Sequence, residues 1–300
     1  MGFHQIGTKY SEKVAAVLIL TLILAADLPS WSWAGKTSKD MGRYFFSGDG
    51  KITLYSERTD KSFSGTYRKR LGSYDERALN EICQVFDAPF EPSRMVISLR
   101  LIEFIDYLED HLNRGAKITI TSGYRKPAYN TMLRKKGNLA AKASLHQYGM
   151  AADLKIEGVE AEALWHYVRN LNFGGAGYYH GDVVHIDVGP ARFWDETTSG
   201  VGTGISDGNK LIGMITDYDV YGPGMTVMLR FIRMTAFPIH VTPEFFLIPQ
   251  DDKDENKNCR SFVPVFKTFQ TDGCMRFGNI DEMNNITWVL PMDLKPGRYK

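Results

Sequence analysis

Apolar positions along this chain follow helical spacing in some stretches and strand-like runs in others. Tyr44-Phe45-Phe46 and Ile52-Thr53-Leu54-Tyr55 flank Ser47-Gly48-Asp49-Gly50, which predicts a hairpin or a pair of short strands. Leu79, Ile82, Cys83 and Phe86 then form the stripe of a helix, and Ser73 with Glu76 has capping-box spacing at its start. A longer helix is predicted over about 93–111, with Leu101, Ile105, Leu108 and Leu112 on its inner face. Ile118-Thr119-Ile120-Thr121 is a β-branched strand that ends in Ser122-Gly123 and delivers Tyr124 and Arg125 at its mouth. Pro127 opens a short helix to about Lys135, and a polar loop from Lys136 to Lys142 follows. Ala151 to Ile156 and Val183 to Val188 read as strands, and Val159 to Leu171 between them as an amphipathic helix. Phe173-Gly174-Gly175-Ala176-Gly177-Tyr178-Tyr179 reads as a tight glycine loop. It lacks the G-x-G-x-x-G spacing and a following helix, so dinucleotide binding is rejected.

Beyond this region the pattern changes. From Thr197 to Lys210, Ser, Thr, Gly and Asp prevail without a hydrophobic period, which marks a linker. Short β-type runs follow over 211–215, 225–234, 239–241, 245–248, 262–266 and 286–290, and Pro296 to Tyr299 is the turn into a last strand. They predict a small all-β, sandwich-like domain over 211–300. At the other end, Lys9 and Lys13 precede the uncharged run Val14 to Ala26, and Ser32-Trp33-Ala34 follows. That order predicts a secretory signal over 1–34 and export, with no membrane span after cleavage.

Composition narrows the function classes. The 300 residues, 43% hydrophobic, can bury one large core or two ordinary ones. A net charge of +1 supplies no field to draw in nucleic acid or an anionic membrane surface. Of the three cysteines, Cys259 and Cys274 lie close together and are paired here in an expected disulfide; Cys83, on a helix stripe, is expected to be a buried inert thiol.

The candidate chemistry lies between Thr121 and Val188. Two imidazoles and a carboxylate there could supply three ligands to Zn²⁺ and leave a fourth position for a water. His4, His111, His166 and His240 sit in the signal, near a helix end, inside a helix and in the late domain, which leaves His146, His180 and His185. His146 and Asp153 can share one centre if His146 sits on a turn before the strand, with Gly149 allowing the bend. Asp182, three residues before His185, could take a proton from a metal-bound water; Asp187 is either the rival base or the partner that orients a ligand histidine. Arg125 offers a planar fork for a carboxylate or a developing oxyanion.

Four motifs carry a family resemblance: Ser122 to Arg125, Ser144 to Asp153, Gly174 to Tyr179, and Val184 to Gly189. In this order and at these separations the chain resembles the zinc D-Ala-D-Ala metallopeptidases, in the murein endopeptidase K-like branch. The match runs from about 42 to 194. The resemblance implies an α+β domain over 42–196, with a small antiparallel sheet and flanking helices around one Zn²⁺ held by His146, Asp153 and His185. It implies a periplasmic or secreted enzyme that hydrolyses stem-peptide or cross-link amides of peptidoglycan, with Asp182 where the family often has Glu. Arg125, Tyr124, Asn130 and Ser144 are the substrate-binding positions that follow from the motifs. The alternatives are a D,D-carboxypeptidase on the same fold, and a non-catalytic zinc-containing wall-binding protein whose late domain docks an envelope partner.

Overall fold

A computed structural model describes residues 43–70, 73–91, 95–136, 144–195, 197–198, 212–233, 238–250, 259–266, 270–271, 273–283 and 286–300. The expected signal, most of the expected linker, the loop after Lys136 and the start expected for the longer helix lie outside the described residues.

The first part runs β1 (Lys51–Ser56), β2 (Ser62–Thr66), β3 (Arg68–Arg70), β4 (Ser73–Tyr74), α1 (Glu76–Val85), α2 (Leu99–Leu112), β5 (Lys117–Ser122) and α3 (Pro127–Lys135). A 3-10 turn at Leu145–Tyr148 leads into β6 (Ala151–Ile156), α4 (Ala161–Leu171), β7 (Gly175–Tyr178), β8 (Val184–Asp187) and β9 (Arg192–Asp195). Seven strands form one sheet in the order β2-β1-β5-β6-β8-β7-β9.

This sheet is larger than the small antiparallel one expected, and it is mixed. β1 and β5 run parallel, as do β7 and β9. Between β1 and β5 the chain passes through α1 and α2, the kind of long connection that parallel neighbours require. The expected first hairpin is also displaced. Residues 44–46 form no strand; Phe46 instead packs its ring 4.7 Å from Phe173 and 5.8 Å from Phe104. β1 pairs with β2, across the turn that begins at Glu57.

Helix starts differ from the motif reading for a local reason. Asp75 caps α1, accepting from the backbone N–H of Arg77 and Ala78 at 3.0 and 3.2 Å, and Ser73 is left in β4. A carboxylate one residue before the helix serves the free N–H groups directly. The glycine stretch read as a loop is strand β7, hydrogen-bonded between β8 and β9.

Leu54, Ile118, Ile120, Leu154 and Ile186 from the sheet share one core with Ile82, Leu101, Phe104, Ile105 and Leu108 from α1 and α2. Cys83 lies in it, and burial pushes its thiol up to about 12, as an inert thiol requires.

The second part comprises β10 (Ile212–Thr216), β11 (Thr226–Arg233), β12 (Ile239–Val241), β13 (Phe245–Leu247), β14 (Arg260–Phe262), β15 (Gln270–Thr271), β16 (Cys274–Phe277) and β17 (Ile286–Val289). They form three small sheets, β10-β11-β17, β12-β16-β15 and β13-β14, over a second cluster that includes Phe231, Val241, Phe245 and Phe277. The expected strand over 262–266 ends at Phe262, and Val265 makes only a bridge to Thr287. The segment after Pro296 closes on Ile248, which exchanges two 2.8 Å backbone bonds with Lys300. All three cysteines are free, so the expected Cys259–Cys274 disulfide is corrected. Cys259 precedes β14 and Cys274 opens β16, and these strands belong to different sheets.

Candidate metal centre

Sheet register assembles the site. Ser122 stands opposite Asp153, Asp153 opposite His185, His185 opposite Gly177, and Gly177 opposite Trp194, across β5, β6, β8, β7 and β9. Residues opposite one another on neighbouring strands share a face, so the five form one row. A second row, Ala151, Asp187, Gly175 and Arg192, runs behind it on β6, β8, β7 and β9.

His146 reaches this row from the 3-10 turn. Gly149 closes the turn in the left-handed region at φ 65°, and a Cβ there would lie 2.1 Å from the Val96 carbonyl oxygen, so glycine is required on both counts. His146 Nε2 lies 3.2 Å from His185 Nδ1 and 3.3 Å from Asp153 Oδ1, and His185 Nδ1 lies 2.9 Å from the same Oδ1. Three donor atoms from three separate elements thus converge.

The far sides of both rings are anchored. His146 Nδ1 faces the carbonyl of Gly123 at 2.7 Å, and His185 Nε2 faces Asp187 Oδ2 at 3.1 Å. Both partners accept only, so those nitrogens carry the protons and His146 Nε2 and His185 Nδ1 keep their lone pairs for the centre. Burial lowers the pKa of His146. For His185 burial also acts downward, but its bonds to Asp153 and Asp187 prevail and raise the pKa. This donor set can hold a divalent metal ion.

Asp187 is fully committed. Besides His185 it accepts from Gly175 N at 3.1 Å, Gly189 N at 2.9 Å, and Arg192 Nη1 and Nη2 at 3.1 and 2.7 Å. Burial acts to raise its pKa, but Arg192 and these donors outweigh it and hold the carboxyl at about 2. Of its two sequence readings, orientation of a histidine is the one this geometry supports.

Arg125 donates through Nε to Ser122 Oγ at 2.9 Å and through Nη2 to Asp153 Oδ2 at 2.5 Å, so its guanidinium lies at the edge of the donor cluster. Asp182 is apart from the cluster. It is exposed on the turn before β8 and pairs with Lys155 at 2.9 Å, a bond that lowers its pKa. His180 is exposed at φ 58°, with its ring 4.8 Å from that of Tyr178, and is not among the converging donors. Tyr124 is half-buried against the core, while Asn130 on α3 and Ser144 ahead of the 3-10 turn are buried.

Two residues of the site were not singled out from the sequence. Trp194 lies with its ring 5.2 Å from that of His185, and its indole N–H donates to the Tyr179 hydroxyl at 2.8 Å. The signal was the spacing of two between Gly175 and Gly177, which clears one face of a strand. A Cβ on Gly175 would meet Asp187 at 2.2 Å, and one on Gly177 would meet the Trp194 ring at 2.6 Å.

Residues 47–194 match the family model described as peptidoglycan L,D-endopeptidase MepK. The chain is 38% identical over 88 residues to peptidoglycan L,D-endopeptidase MepK of Escherichia coli strain K12, which is 29% of this chain and 48% of that one. It is also 38% identical over 82 residues to the probable peptidoglycan L,D-endopeptidase MepK of Haemophilus influenzae, 27% of this chain and 44% of the relative. The chain thus spans about half the length of the curated relatives it matches. This similarity agrees with the motif-based resemblance to the murein endopeptidase K-like branch of the zinc D-Ala-D-Ala metallopeptidases.

Proposed function

We propose that this chain is a zinc-dependent peptidoglycan endopeptidase of the bacterial envelope, with His146, Asp153 and His185 as metal ligands. The observation that carries this is the convergence of His146 Nε2, His185 Nδ1 and Asp153 Oδ1 within 3.3 Å of one another. Tetrahedral zinc with bonds of about 2.0–2.1 Å needs ligand atoms roughly 3.3 Å apart, so the donor set fits in both spacing and chemistry. Substrate class comes from the relatives, whose names specify peptidoglycan L,D-endopeptidase. No helix among the described residues is long and apolar enough to cross a membrane. Exposed Val263, Val265, Val289 and Met292 support a binding role for the second part, toward the wall or an envelope protein.

Bound zinc would supply Lewis acidity toward a peptide carbonyl and lower the pKa of an attacking water. The chain's own residues supply the rest. Gly123 and Asp187 hold the two imidazoles in the ligand tautomer, and Arg192 holds Asp187. Arg125, its Nε and Nη2 spent on Ser122 and Asp153, presents the remainder of its fork to a substrate carbonyl or carboxylate. Asp182 is the candidate for taking the proton of the attacking water and returning it to the leaving amine. It is the solvent-facing acid of the β7–β8 turn and must leave Lys155 and swing toward the donor cluster to do so, whereas Asp187 is buried and held by four donors besides His185.

Purified peptidoglycan digested with the chain and analysed by mass spectrometry tests the reading. Loss of cross-links or stem-peptide cleavage, abolished by EDTA and restored by zinc, is expected. Release of terminal D-Ala alone would identify a carboxypeptidase, and an unchanged digest would leave only a wall-binding protein. Asp182→Ala is expected to retain one zinc per chain and lose turnover by about 10²–10⁴-fold. Full activity in that variant removes Asp182 from proton transfer.

A further inference from the structure

One part of the site remains without a role: the wall formed by Tyr179 and Trp194. Trp194 shares a row of the sheet with His185 and Asp153, and Gly177 beneath it has no side chain to keep the indole away. The indole N–H can only donate, and it spends its single proton on the Tyr179 oxygen at 2.8 Å. The phenol is therefore an acceptor toward the wall, and its own O–H must point elsewhere. Tyr179 directly follows β7, and its hydroxyl is held by Trp194, the β9 residue that stands opposite Gly177 in the row of Asp153 and His185. The Trp194 ring that bonds its hydroxyl lies 5.2 Å from the ring of His185, which brings Tyr179 to the β7–β9 side of the donor cluster.

We propose that Tyr179 is a catalytic residue whose phenolic O–H donates a hydrogen bond to the scissile carbonyl oxygen as that oxygen gains negative charge. This rests on the peptidase reading above. A hydrogen bond accepted from Trp194 polarises the phenol and strengthens its donation. At neutral pH a tyrosine is protonated, so it serves as a donor and not as the base. No bond to Tyr179 forms or breaks: its proton stays on the phenol oxygen while water adds to the carbonyl carbon and the C–N bond opens. Arg125 and Tyr179 then face the developing charge from two sides, the guanidinium from the β5 end of the row and the phenol from the β7 end.

The test uses the full chain loaded with zinc and a peptidoglycan-derived peptide, alongside a phosphinate isostere of the scissile bond. Tyr179→Phe is expected to lower kcat by about 10²–10³-fold, the usual effect of removing one oxyanion donor, with KM changed by less than about threefold. Calorimetry should show phosphinate affinity reduced at least about tenfold and affinity for an uncleaved peptide analogue preserved, because only the former mimics the charged oxygen. Zinc content and melting temperature should match the wild type. Trp194→Phe keeps a ring over Gly177 without the N–H and should lower kcat in the same direction by about tenfold. Wild-type kcat in Tyr179→Phe, or equal losses for the phosphinate and the peptide, overturns the proposal. A wild-type chain that cleaves nothing overturns the peptidase reading with it, whereas an active wild type beside an unimpaired Tyr179→Phe overturns this inference alone.

Discussion

Asp106 lies on α2 with no solvent exposure, and its Oδ2 accepts the Tyr67 hydroxyl at 2.7 Å and the Gly50 N–H at 2.9 Å. Its Oδ1 has no hydrogen-bond partner among the described residues. Burial first, then the nearby charges of Asp110 and Glu103, push its pKa up to about 7 against the bonds from Tyr67 and Gly50. The folded state therefore binds this proton more tightly than the unfolded chain does. Its contribution to stability is fully present below the ordinary carboxyl pKa of about 4 and is lost as pH rises through 7. Asp106→Asn imitates the protonated form, and its amide oxygen can still accept from Tyr67 and Gly50. Urea titrations between pH 4 and 8 should give a variant whose stability falls less with rising pH than the wild type's, with a gap at pH 8 of up to about 4 kcal/mol. Parallel curves would remove Asp106 as the cause. Such a residue was not legible beforehand. The apolar stripe Leu101, Ile105 and Leu108 could be read from spacing, but Arg100, Glu103 and Asp106 find their partners Asp219, Arg68 and Tyr67 far away in the chain. The donors of the candidate centre were legible for another reason: His146, Asp153 and His185 stand in the motifs that carry the family resemblance.

Strand β7 shows how element-level reading succeeded and failed together. Its composition, Gly-Ala-Gly-Tyr, argues against a strand on propensity alone. It is a strand because both neighbours pair with it and because Asp187 and Trp194 fill the space its glycines leave. Tertiary packing overrode the local preference, and no spacing rule carries that information. The helices α3 and α4 were legible to within two residues: Pro127 opens α3 as expected, and α4 runs Ala161–Leu171 where Val159 to Leu171 was expected. The cap of α1 was misassigned because Ser73 and Glu76 have the right interval while Asp75 sits nearer the free N–H groups. Gly177→Ala tests the packing account. A methyl there meets the Trp194 ring at 2.6 Å, so the indole must move and Tyr179 loses its donor. A loss of about 1–3 kcal/mol in chemical denaturation is expected, together with reduced turnover at unchanged zinc content. Wild-type stability and turnover would show that the ring is not confined by β7.

The two hydrophobic clusters of the molecule are joined by charge as well as by packing. Arg100 of α2, almost wholly buried, pairs with Asp219 at 2.6 Å. Asp219 also accepts the Phe45 N–H at 3.1 Å and donates its own N–H to the Arg43 carbonyl at 2.8 Å, so one carboxylate ties α2, the chain before β1 and the loop after β10 together. Near the candidate metal centre, Arg230 of β11 donates to the carbonyl of Tyr148 at 2.9 Å, and the Tyr148 hydroxyl lies 4.0 Å from the sulfur of Met283. Tyr148 belongs to the same 3-10 turn as His146, and the second part of the chain therefore braces the turn that carries this candidate ligand. Breaking the junction should be felt at both ends. Asp219→Ala leaves the Arg100 guanidinium buried without its carboxylate, a loss on the order of 3–5 kcal/mol. Arg100→Met combined with Asp219→Ala removes the stranded charge and should recover a large share of that stability. Denaturation of both variants, followed by tryptophan fluorescence and by zinc release, checks this. Zinc should leave at a lower denaturant concentration in Asp219→Ala than in the double variant, because the stranded charge weakens the junction of the two clusters, across which Arg230 also braces the turn bearing His146. If the double variant is as unstable as the single one, the junction is held by shape and not by this ion pair.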